Sequence, residues 1–154
     1  MKKIILAVGF LMSFIFSASA DITTKVVSNL VIGGQGILPN SGPTAVLGIN
    51  LAANKGEILP SITVSIISGA PSVSPGDFKE VAIYRDNGNG VFDSADSPIS
   101  SINPTLTGSL SNTFNINWPI PPDDLGGNAG NDLFVVIRTS SHINSGNESE
   151  SGGA

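Results

Sequence analysis

The sequence predicts an all-β fold: an antiparallel β-sandwich of immunoglobulin-like type, six to seven strands, following a cleaved signal peptide. Three observations carry this. Charged residues make up only 12% of the chain, while Gly (18) and Pro (10) are frequent, which favours strands joined by turns over long solvated helices. Several short segments alternate apolar and polar residues with a period of two, the mark of a strand with one buried face. No stretch of the mature chain shows a helical period.

The elements follow in order. Met1-Lys2-Lys3 is a basic start, Ile4 to Phe16 is almost unbroken apolar sequence, and Ala18-Ser19-Ala20 is an A-x-A cleavage pattern. Residues 1–20 therefore read as a secretory signal peptide, and the apolar run is too short to span a bilayer comfortably. Residues 21–43 read as an N-terminal strand or a linker: Lys25 to Ile32 has strand composition, Gly33 to Gly36 breaks it, and Leu38 to Pro43 is turn chemistry. Residues 44–140 are the expected sandwich domain. Within it, Thr44–Ala52 is a strand. Ser61–Ser68 places Ile62, Val64 and Ile66 on one face. Phe78–Arg85 is another strand, setting apolar Phe78, Val81 and Ile83 against Lys79, Glu80 and Arg85. Ser97–Ile102 contains Pro98 and belongs at an edge. Asn112–Trp118 alternates with Phe114, Ile116 and Trp118 in phase, which predicts a core tryptophan. Asp132–Thr139 is the most apolar strand and is expected at the centre of a sheet. No strand follows it, so its partner is expected to be the Val26–Ile32 segment, a segment of a longer chain, or a strand from another molecule. Residues 141–154 read as a flexible polar tail.

Composition also limits function. Loss of Lys2 and Lys3 leaves 5 basic residues against 12 acidic ones, a formal charge of −7. That excludes the positive footprint a nucleic-acid partner requires and disfavours an anionic membrane surface. There are no cysteines, so an exported chain must be held by its apolar core or by a metal instead of disulfides. The single histidine, His142, lies in the tail. No nucleophile elbow, phosphate loop or H-E-x-x-H zinc motif occurs. The expectation is a non-enzyme.

One segment carries chemistry. Asp86 to Asp96 reads D-N-G-N-G-V-F-D-S-A-D. It offers side-chain oxygens from Asp86, Asn87, Asn89, Asp93 and Asp96, and calcium takes six to eight such hard ligands. Gly88 and Gly90 supply the bends. The rival reading is a plain polar turn, since Asn-Gly pairs are common hairpin residues. Against it, three carboxylates at these spacings would repel one another without a cation. Val91 and Phe92 are expected to anchor the loop in the core. A second acidic stretch, Asp123 to Asp132, fits no ligand spacing and reads as an ordinary solvated loop, or as one that lends Asp123 or Asp132 if the two loops adjoin.

With Gly90 aligned on the invariant glycine, the loop resembles the EF-hand-like calcium loops of dockerins, thrombospondin type 3 repeats and bacterial surface-adhesin modules. Asn87, Asn89, Asp93 and Asp96 then fall on the third, fifth, ninth and twelfth positions. The first position is Arg85, which cannot ligate, and Asp86 stands one residue late. The resemblance covers about a fifth of the mature chain and implies an extracellular, calcium-stabilised module. The expected function is thus an exported structural or adhesive module, secreted, periplasmic or on the cell surface. Its expected partners are other surface proteins, copies of itself, or glycans. The alternative is a carbohydrate-binding module using an exposed Tyr84.

Overall fold

A computed structural model describes residues 9–10, 22–31, 37–53, 57–67, 73–120 and 130–141. It is an antiparallel β-sandwich. The strands are β1 (Gly9–Phe10), β2 (Ile22–Asn29), β3 (Thr44–Ala53), β4 (Ile58–Ile67), β5 (Phe78–Arg85), β6 (Ser97–Ile102), β7 (Ser111–Pro119) and β8 (Leu133–Thr139). One sheet runs β2-β3-β8-β5-β6 and the other β1-β4-β7.

The alternation sorts side chains as the sequence predicts. Ile62, Val64 and Ile66 of β4 and Phe114, Ile116 and Trp118 of β7 are buried. They face Val46, Ile49 and Leu51 of β3, Phe78, Val81 and Ile83 of β5, and Leu133, Val135 and Ile137 of β8, forming one core between the sheets. The other face of β4 and β7 is polar, with a hydroxyl ladder of Thr63 to Thr113 at 2.8 Å and Ser65 to Ser111 at 2.7 Å. Such cross-strand pairs stabilise a sheet on its wet side.

β8 occupies the middle of the larger sheet, as its composition requires. Its neighbours are β3 and β5, so the Val26–Ile32 segment is not the partner of the central strand: its described part pairs with β3 instead. Residues 22–29 are not a linker: they pair with β3 at the sheet edge. β6, with Pro98, is the opposite edge. Two short helical turns were not legible in the hydrophobic pattern. A 3-10 turn at Pro75–Asp77 is held by the buried Asp77 carboxylate, which accepts from Ser74 N–H at 2.7 Å. The turn α1 (Pro104–Thr107) is capped by Asn103, whose side chain accepts from Thr105 N–H. Among the described residues, no helix is long and apolar enough to cross a membrane. Residues 1–8, 11–21 and 142–154, including most of the expected signal peptide, His142 and the tail, lie outside the described residues.

Candidate functional site

The acidic loop joins β5 to β6 at one end of the larger sheet. Its glycines do what the sequence demands of them. Gly88 has φ +105 and Gly90 φ +75, both in the left-handed region that disfavours a side chain. Those two bends let each acidic or amide side chain turn back on the loop's own backbone. Asp86 accepts from the N–H groups of Gly88 at 2.6 Å and Gly90 at 3.0 Å. Asn87 accepts from Asn89 N–H and Asn89 from Val91 N–H. Asp93 accepts from Ala95 N–H at 2.7 Å and from the side-chain amides of Asn89 and Asn87. Asp96, buried at 8% exposure, accepts from Asn87 N–H and Asp93 N–H through its two oxygens.

All five expected ligands are therefore brought into one loop, but the carboxylates are not left to repel one another. Each is matched to backbone or amide donors, which corrects the argument that only a cation could reconcile them. The bonds from Ala95 N–H, then Asn89 and Asn87, hold the exposed Asp93 carboxyl below its ordinary value of 3.8.

The loop also reaches the segment that leads into β8. Asp86 N–H donates to the Asp132 carbonyl at 2.9 Å. A Cβ on Gly90 would stand 2.7 Å from Gly130 Cα, so the two backbones touch. Asn131 donates to the Gly90 carbonyl and lies over Gly48 of β3, where a Cβ would meet it at 2.3 Å. Asp132 ties the β8 lead-in to β3: its N–H donates to the Ile49 carbonyl and its carboxylate accepts from Leu51 N–H at 2.9 Å. Half-burial is the main cause that raises its pKa above 3.8. The Leu51 bond opposes this, and the nearby Asp86 charge adds to the rise. The two acidic loops thus adjoin through Asp132; Asp123 lies outside the described residues.

The aromatic residues correct two expectations. Val91 is not a core plug: it is 65% exposed. Phe92 is the anchor, but on the outer face of the larger sheet. Its ring packs edge-on against Tyr84 at 5.4 Å and against Phe134 at 5.6 Å. Tyr84, expected to be free for a sugar, is half-buried beneath it. Trp118 is buried at 6%, as its phase with Phe114 and Ile116 predicts. It shows an edge to a cleft of about 580 Å³ that is bordered by Asp86, Asn89, Val91, Asn131 and Asp132.

The donor chemistry of this end of the sandwich suits calcium: carboxylate, amide and carbonyl oxygens, with no nitrogen or sulfur ligand. In the present conformation the oxygens face N–H groups, and among the described residues no three acidic side chains surround one point. The loop is held by its own hydrogen bonds. Asp132 and Gly48 carry weight that the spacing of the acidic loop did not reveal. Their signal in the sequence is faint: a carboxylate opening the most apolar strand, and a glycine inside an apolar one. Comparison with known protein families, with curated proteins and with solved structures gives no match.

Proposed function

We propose that this chain is an exported, non-catalytic structural or adhesive module, and that its acidic loop is a calcium clasp at the end of the sandwich. The supporting observation is the seating of the loop. Asp86, Asn87, Asn89, Asp93 and Asp96 gather between β5 and β6, Phe92 pins them to the sheet, and Asp132 ties the adjoining segment to β3. Calcium held there would fix the ends of three strands at once. It would also relieve the unfavourable proximity of the Asp86 and Asp132 charges. Because hydrogen bonds already order the loop, the domain folds without metal and gains stability with it.

A low-charge surface with no cysteine, behind a basic and apolar leader, supports a role outside the cytoplasm. The calcium part is tested by thermal melts of the processed protein in calcium and in chelator. A cation bound only by the folded state adds about 2.7 kcal/mol at 100 times its dissociation constant. The export part is tested by the N-terminal mass of the protein recovered from an expressing bacterium. A start at Asp21 supports it; a start at Met1 refutes it.

A further inference from the structure

We infer that the outer edge of β4 is a self-association surface, on which a second copy of this chain pairs β4 with β4 across a twofold axis. The inference rests on the export reading, because it needs residues 1–20 removed.

Among the described residues, the two edges of the larger sheet are blunted. β2 carries Lys25 on a strand that ends its sheet. β6 is six residues long and contains Pro98. Charges, prolines and shortness are devices that stop an edge from recruiting another strand. β7 has one irregularity, Asn117 at φ 44, at the end that pairs with Leu59 and Ser61 of β4. β4 has only Pro60, near one end. From Ser61 to Ile67 it runs as S-I-T-V-S-I-I, with no charge and no further break.

The geometry of that run favours itself. Ile66 N–H donates inward to the Leu110 carbonyl next to β7. By the alternation of an antiparallel ladder, Ser61, Thr63, Ser65 and Ile67 turn their backbone groups to the open side. A twofold axis at Val64 sets Thr63 opposite Ser65 of the second copy, Ile62 opposite Ile66, and Val64 opposite itself. Core-facing residues then meet core-facing residues, and hydroxyls meet hydroxyls, extending the ladder already formed with Thr113 and Ser111. A shift by one residue would break this match.

The precursor shows that the edge accepts a strand. β1 pairs there, with Gly9 opposite Ile67 and Phe10 opposite Ile66. Those two positions are also needed by the twofold pairing, so the leader and a second copy compete. Cleavage after Ala20 would remove β1 and release the edge, which makes association a consequence of export.

The test is the mass in solution of the processed chain, measured by light scattering over a dilution series, for wild type and two double variants. Thr63→Lys with Ser65→Lys puts like charges opposite each other twice in the pair. Thr63→Lys with Ser65→Glu puts opposite charges there. Both lose the same hydroxyl ladder, so their comparison cancels its effect, and circular dichroism checks that both fold. The expected result is a wild-type dimer whose dissociation constant in the Lys/Lys variant exceeds that of the Lys/Glu variant by about tenfold or more. A processed chain that is monomeric throughout, or a dimer indifferent to the two charge patterns, overturns the pairing and leaves export standing. A chain recovered with Met1 intact overturns both.

Discussion

The contact between Gly90 and Gly130 can be isolated by a pair of alanine substitutions. Gly88→Ala meets nothing within 4 Å but must hold φ +105, while Gly90→Ala must hold φ +75 and also meets Gly130 Cα at 2.7 Å. Left-handed strain alone should cost about 1–2 kcal/mol in each variant. Gly90→Ala adds overlap with backbone, which cannot rotate away as a side chain tip would. Forced overpacking of that kind costs about 1–3 kcal/mol more. The two variants should therefore differ by that second amount, at roughly 4 °C of Tm per kcal/mol for a domain of this size. Urea unfolding followed by fluorescence reads it directly, since Trp118 is the one tryptophan and is buried. Equal losses in the two variants would refute the close approach of the acidic loop to the β8 lead-in.

Two further outcomes follow from the same end of the sandwich. Asp132 has its pKa raised by burial, so the folded state holds its proton more tightly than the unfolded chain does. The sign is that this group favours folding at low pH and loses stability as pH rises above 3.8 through the folded value. Asp132→Asn keeps an acceptor for Leu51 N–H and removes the charge, so it should raise Tm at neutral pH in chelator and flatten that pH dependence; a lower Tm would contradict the assignment. Val91, 65% exposed, is expected to tolerate Val91→Ser within about 0.5 kcal/mol, and a loss above about 2 kcal/mol in urea unfolding would place it in a core after all.

How much of this was legible follows from the range over which each interaction acts. Strand positions came through well because burial on one face imposes a period of two. Phe78–Arg85 and Ser97–Ile102 match the observed β5 and β6, and Asp132–Thr139 sits centrally as its uninterrupted apolar run requires. The phase of Trp118 foretold its burial. Partner choice did not come through: nothing local in Thr44–Ala53 says that it pairs with β8 on one side and β2 on the other. The acidic loop was visible as a composition, but its internal hydrogen bonds were not. Which donor each carboxylate finds depends on φ at Gly88 and Gly90, and the repulsion argument failed because it counted charges without counting N–H groups. Phe92 does anchor the loop, but on the outer face of the sheet and not in the core, and Val91 anchors nothing: neighbouring residues point opposite ways, and the sequence does not say which face a ring will meet.

The central claim is the calcium clasp, and its most direct measurement is calorimetric titration of calcium into the metal-free processed chain, beside Asp93→Asn. The account predicts one calcium per wild-type chain and a loss of binding in the variant, because Asp93 sits among the loop oxygens and its carboxylate takes both Asn side chains. No heat with wild type, or the same affinity with Asp93→Asn, would contradict it and leave Asp86–Asp96 as a turn closed by its own hydrogen bonds.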